Sequence, residues 1–175
     1  MVMRHLPLSM KLVADVLPKD INGAAQGGNF LGTSLRNYFS ATVLVAVGAH
    51  SGNAVAVTLQ QMKNVEGNGA KALGFTDYYE LKPNASPAET SDRWDAKTAS
   101  SNTFNIAANT IYAIPIKQAM LDVTNNFDCI RPNLAAGSAS TLVFCGILLG
   151  DGKYGISGDV DHIPSAKVNS MSATN

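Results

Sequence analysis

Branched aliphatic residues alternate with smaller or polar ones through two adjacent runs, residues 42–49 and 53–59. With His50, Ser51 and Gly52 as a three-residue loop, Val47 falls opposite Val55, Val45 opposite Val57 and Val43 opposite Leu59. The predicted hairpin then carries one wholly aliphatic face, and Gly52 stands where such a loop needs a left-handed residue. A later run, residues 142–149, is apolar on both faces and too short to span a bilayer, which marks it as a strand of a sandwich core.

The rest of the chain continues the short-strand pattern. Residues 11–17 predict a first strand, followed by a Gly- and Asn-rich stretch over 22–32. Gly67, Asn68 and Gly69 mark a turn before a strand over 72–81, which holds Phe75, Tyr78 and Tyr79. Ser86 with Glu89 three residues later and Pro87 between them is a capping box, so a short helical insert runs from Ser86 to Trp94, with Trp94 anchoring it on the sandwich. Phe104 and Ile106 share one face, as do Tyr112, Ile114 and Ile116; Pro115 puts that strand at an edge or on a bulge. A helical turn is expected over 117–123. Residues 127–131 and 141–149 then pair across the small-residue loop 135–140.

About seven or eight short strands with regular turn signals predict an all-β protein, an antiparallel β-sandwich or jelly roll with one short helical insert and extended terminal arms. The expected organisation is an N-terminal arm and first strand over 1–35, a sandwich core over 36–150 and a C-terminal arm over 151–175. A chain of 175 residues suffices for one such core.

Composition narrows the function classes. Thirteen basic and thirteen acidic residues give a formal net charge of zero, and charged residues are only 15% of the chain. The basic residues are scattered, which argues against phosphate-dominated nucleic-acid binding, and no basic amphipathic segment points to a membrane surface. The opening residues hold no apolar stretch long enough for a signal peptide, so no secretory targeting is expected. A hairpin centred near Gly137 sets Cys129 opposite Cys145; they form either a bridge or two buried thiols of a cytoplasmic protein, and the second is favoured.

Candidate chemistry is sparse. Asp151, Asp159 and Asp161 with His162 lie in a Gly-rich stretch that could hold a calcium ion, but without the spacing of a calcium loop, and turns explain them more simply. His50 and His162 lie in expected loops with no Gly-x-Ser-x-Gly elbow to make a nucleophile pair. Residues 67–71 lack the spacing and the Ser or Thr of a phosphate loop. Three glutamates offer no pair for glycoside cleavage. Tyr78, Tyr79 and Trp94 could form a sugar-stacking platform, yet adjacent strand residues point to opposite faces, so only one tyrosine could join Trp94. The sequon Asn84-Ala85-Ser86 is followed by Pro87, which disfavours glycosylation. No catalytic, cofactor-binding or metal residue is assigned.

Tyr112-Ala113-Ile114-Pro115-Ile116, Phe127-Asp128-Cys129-Ile130-Arg131-Pro132, Ala136-Gly137-Ser138-Ala139-Ser140-Thr141 and the apolar strand to Leu149 resemble small capsid decoration (cement) proteins of tailed bacteriophages. Those proteins share the order of aliphatic hairpin, aromatic strand, arginine-bearing strand, small-residue loop and last apolar strand. The resemblance spans residues 36–150; the helical insert and long C-terminal segment depart from it. It implies a jelly-roll virion protein, not an enzyme and without cofactor, assembled in the host cytoplasm. Such a protein binds the major capsid protein on the outer capsid surface and associates with itself as a trimer or dimer. Another phage tail or head-fibre module, and a carbohydrate-binding β-sandwich, are the alternatives.

Overall fold

The computed structural model describes residues 10–23, 31–83 and 93–152. Eleven strands fill these segments: β1 (Lys11–Asp20), β2 (Thr33–Ser34), β3 (Tyr38–His50), β4 (Ala56–Met62), β5 (Lys71–Leu73), β6 (Asp77–Leu81), β7 (Asp95–Thr98), β8 (Phe104–Asn105), β9 (Thr110–Lys117), β10 (Cys129–Leu134) and β11 (Thr141–Gly152). They build two sheets, a six-stranded one ordered β1-β11-β3-β9-β6-β7 and a second ordered β2-β10-β4-β5, with β8 added beside β4.

The pairing is nested. Setting aside β6, β7 and β8, the first strand pairs with the last, β2 with β10, β3 with β9 and β4 with β5, every pair antiparallel. A long hairpin wrapped into two face-to-face sheets has this connectivity, which is that of a jelly roll. The all-β antiparallel sandwich read from the sequence is the observed fold.

Alternation decides which side chains lie between the sheets. Val43, Val45 and Val47 of β3, Ile114 and Ile116 of β9, and Cys145 and Ile147 of β11 point inward from one sheet; Val57, Leu59, Ile130 and Leu134 answer from the other. An aromatic group closes one end, where Tyr78 stacks on Phe104 at 4.2 Å between centroids and Phe104 meets Tyr112 at 4.9 Å. The Tyr112 hydroxyl accepts the Ala107 backbone N–H at 2.7 Å, and burial raises both tyrosine pKa values.

Several pairings differ from those expected. β3 and β4 are not a hairpin: β3 lies between β11 and β9, whereas β4 lies in the opposite sheet, and residues 51–55 cross from one to the other. The valines of residues 43–47 and 55–57 therefore share a core across the two sheets. A sheet-to-sheet corner buries alternating valines as well as a hairpin does. The loop is held by a different segment, since the Ser51 N–H bonds Ser140 O at 3.2 Å and the Asn53 N–H bonds Ser138 Oγ at 2.8 Å.

The same holds for β10 and β11, which pair with β4 and β2, and with β1 and β3, instead of with each other. Between them, Gly137 exchanges backbone hydrogen bonds with Ile21 and Gly23. The strand expected over 72–81 divides into β5 and β6, again one in each sheet. Lys11–Asp20 and Thr33–Ser34, both ahead of the expected 36–150 core, are strands of the two sheets. Pro115 sits in the sheet interior strand β9, but β6 pairs only with Ile111 to Ala113, so the proline falls where that neighbour has ended. The helical turn expected over 117–123 is present as two short 3₁₀ turns, Gln118–Met120 and Val123–Asn125. The capping box of Ser86 and Glu89 lies outside the described residues; Trp94 leads straight into β7 and is 43% exposed, so it does not anchor a helix in the core.

Candidate interaction surface

The residues of β11 that do not face the core are Leu142, Phe144, Gly146 and Leu148, and they set the character of the outer face of the six-stranded sheet. Register carries this across the strands. Leu12, Leu148, Thr42 and Pro115 lie in one row. Gly146, Leu44, Ala113 and Tyr79 form the next, and Phe144, Ala46, Ile111 and Leu81 the third. None of these twelve positions bears a formal charge. Leu12 is 56% exposed, Leu142 46% and Tyr79 40%, and Leu44, Phe144, Ile111 and Leu148 are half-buried. The sequence reading of residues 142–149 as a fully buried core strand is thus corrected: one face is core and the other meets solvent.

The face has relief. Outward residues of β3 are mostly small, so Ala46 and Gly48 form a trough between Leu142 and Phe144 on β11 and Ile111 on β9; an open hollow of about 330 Å³ marks it. Space at Gly146 beside it is tight, since a Cβ there would lie 3.0 Å from Phe144 Cζ, 3.1 Å from the Val13 carbonyl oxygen and 3.3 Å from Leu12 Cδ1. The two side chains close over bare backbone.

The outer face of the second sheet is of opposite character. Arg131 donates to Gln60 Oε1 from Nε at 3.1 Å and from Nη2 at 2.6 Å, and Asn133 Nδ2 donates to Thr58 Oγ1 at 3.3 Å. At its border Lys71 pairs with Asp122 at 2.6 Å and lies 4.2 Å from the Phe127 ring centroid. Polar side chains there are occupied by each other.

Candidate chemical residues from the sequence do not gather. Cys129 points outward from β10 while Cys145 points into the core from β11; both are buried free thiols, and two cysteines on different layers cannot bridge without backbone movement. Burial, with the Asp128 carboxylate that accepts its S–H at 3.1 Å, pushes the Cys129 thiol up to about 12. His50 is not a loop histidine: it ends β3, and its Nδ1 lies 2.9 Å from Oγ1 of the fully buried Thr141. Asp151 accepts the Ser40 hydroxyl at 2.6 Å, whereas Asp159, Asp161 and His162 lie outside the described residues. Among the described residues no three His, Cys, Asp or Glu side chains are grouped as a metal centre requires. Gly67 and Gly69, at φ of 93° and 65°, form the turn expected of residues 67–71. Tyr78 is committed to the core stack, which removes it from any sugar platform with Trp94.

A second open hollow, about 480 Å³, lies at the end of the sandwich beside Phe39, Lys117 and Val123. It gathers one ammonium and the Asp151 carboxylate, which is already bonded to Ser40. Among the described residues no helix is long and apolar enough to cross a membrane.

No family model matches the chain, and no curated protein matches it. Among solved structures, the chain is similar to the crystal structure of the SPBc2 prophage-derived protein YomS, at a TM-score of 0.42 and 10% sequence identity, covering 86% of this chain and 99% of that one.

Proposed function

We propose that this is a structural, non-enzymatic virion protein that decorates a tailed-phage head, binding the major capsid protein at the outer capsid surface and bridging neighbouring capsomers. The observation that carries this reading is the nested jelly roll, in which the segments resembling decoration proteins fall on consecutive strands. Tyr112-Ala113-Ile114-Pro115-Ile116 lies in β9, the arginine-bearing run in β10, and the small-residue loop leads into β11. A cement protein works by adding buried interface between shell subunits, so many copies of a modest contact sum to resistance against internal pressure.

Open reading frames beside the gene are expected to encode a capsid protein and a maturation protease. Shells assembled from that capsid protein, mixed with the full chain and sedimented, should carry it down at a saturating stoichiometry, and electron microscopy should show added density on the outside. A chain that stays in the supernatant at every ratio refutes the capsid role. Binding to a glycan array would favour the carbohydrate-binding alternative.

A further inference from the structure

We propose that Asn68 is a modification site of this protein: it loses its side-chain amide spontaneously through a cyclic imide formed with the backbone nitrogen of Gly69, whereas the fold holds the chain's other Asn-Gly pair, Asn22-Gly23, unreactive. The inference is independent of the capsid reading.

The chemistry sets the requirements. The glycine nitrogen attacks the asparagine Cγ, a new C–N bond forms, the Cγ–N bond of the amide breaks, and ammonia leaves with the proton given up by the attacking nitrogen. Water then opens the five-membered imide at either carbonyl. One opening yields aspartate; the other yields isoaspartate, with the main chain rerouted through Cβ and Cγ. A following glycine favours ring closure, because it has no Cβ to obstruct the approach. The attacking N–H must also be free, since a bonded one can neither lose its proton nor turn toward Cγ without breaking that bond.

The chain holds two Asn-Gly pairs, and the structure treats them oppositely. At the first, the Gly23 N–H donates to Gly137 O at 2.7 Å, and the Gly137 N–H donates back to Ile21 O at 3.2 Å. The Asn22 N–H donates to Asp20 Oδ1 at 3.0 Å. The nitrogen that would attack is thus tied into the bridge between the end of β1 and the loop before β11.

At the second, the Ala70 N–H donates to Gly67 O at 3.3 Å, so Asn68 and Gly69 are the two central residues of a four-residue turn whose ring is closed by its last N–H alone. Among the described residues no acceptor takes the Gly69 N–H, and no hydrogen bond holds the Asn68 side chain. Both residues are exposed, which gives water access to the imide. The Lys63 side chain runs alongside, with Cγ, Cδ and Cε each 3.5 Å from the place of a Gly69 Cβ. That keeps an ammonium near the negative charge that develops on the attacking nitrogen and then on the Cγ oxygen. The product exchanges a neutral amide for a carboxylate, which takes the formal net charge of the chain from zero to one negative.

Holding the full chain in mildly alkaline buffer tests this. A more acidic form should accumulate on ion exchange, and peptide mass mapping should place the change at Asn68, with aspartate and isoaspartate both present. In native protein Asn68 should react at least about tenfold faster than Asn22, the factor that one hydrogen bond of ordinary strength imposes. In urea the two rates should converge, because the protection at Asn22 is lost with the fold. Asn68→Gln, which needs a larger ring, should abolish the acidic form and keep the circular dichroism of the parent; if it does not fold, the mapping of the parent chain decides. Equal native rates at the two sites, a faster Asn22, an Asn68 that stays intact in native protein while reacting in urea, or an acidic form that persists in folded Asn68→Gln overturns the proposal.

Discussion

Asp20 accepts the backbone N–H of Thr141 at 2.8 Å, joining residues 121 positions apart where β1 ends and β11 begins. Its other oxygen accepts the Ser140 hydroxyl at 2.7 Å, and Oδ1 also takes the Asn22 N–H at 3.0 Å. One carboxylate thus closes the outermost pair of the wrapped hairpin, the pair with the greatest sequence separation.

That arrangement makes stability depend on acid. The Thr141 N–H, then the Ser140 hydroxyl and the Asn22 N–H, hold the Asp20 carboxyl below its ordinary value, and the Lys71 ammonium with Asn125 does the same for Asp122. A folded-state pKa below the unfolded one, about 3.9, contributes stability that is complete above that value and is lost as pH falls through the folded pKa. Asp20→Asn should melt below the parent at pH 7, with the difference shrinking in acid. Melting curves over a pH series check it, and a difference that persists unchanged in acid contradicts the assignment.

Gly52 is fixed by contact as well as by backbone. Its φ is +94°, and a Cβ would lie 2.7 Å from Ser138 Oγ and 2.9 Å from Ala139 Cβ. Gly52→Ala should cost at least about 2 kcal/mol, from left-handed strain and overpacking together. Gly69→Ala, at φ of +65° with only the Lys63 side chain at 3.5 Å, should cost about 1 kcal/mol. Urea denaturation of both variants measures the ordering.

Ile147 and Ile130 face one core from different sheets, each fully buried. Replacing either by Ala should cost about 3 kcal/mol, whereas Thr98→Ala on exposed β7 should stay within about 0.5 kcal/mol. Equal, small effects at all three positions would contradict a shared core.

The thiols provide a direct check of layer assignment. Native protein under non-reducing conditions should resist alkylation at both Cys129 and Cys145, and denatured, unreduced protein should take two labels, read by intact mass. A denatured chain that takes none would mean a bridge and would displace β10 or β11.

Burial was legible from residue order to a large extent. Val43, Val45, Val47, Val55, Val57 and Leu59 were expected on one aliphatic surface, and all are buried. Their pairing was not legible, because alternation reports only which side of a strand meets apolar surroundings and is the same for a hairpin and for a corner between two sheets. The signal that separates the two cases lies elsewhere in the chain, in Ser138 and Ser140, which bond residues 51–53. Cys129 and Cys145 fail in the same way, since counting outward from Gly137 presumes that neighbours in sequence pair.

Taken alone, the order of residues determines the inward set of aliphatic side chains, the turn at residues 67–69 and the all-β class, since each follows from local alternation and local backbone preference; the strand count does not follow, since seven or eight were expected and eleven are present among the described residues. Which strands are neighbours, and so which outward residues share a surface, is decided only when the chain wraps on itself. Leu12, Leu148, Thr42 and Pro115 are far apart in sequence and adjacent in space. An apolar outer face assembled from single positions on several strands has no periodic signature of its own, because each strand contributes only every second residue and the register between strands is set by long-range hydrogen bonds.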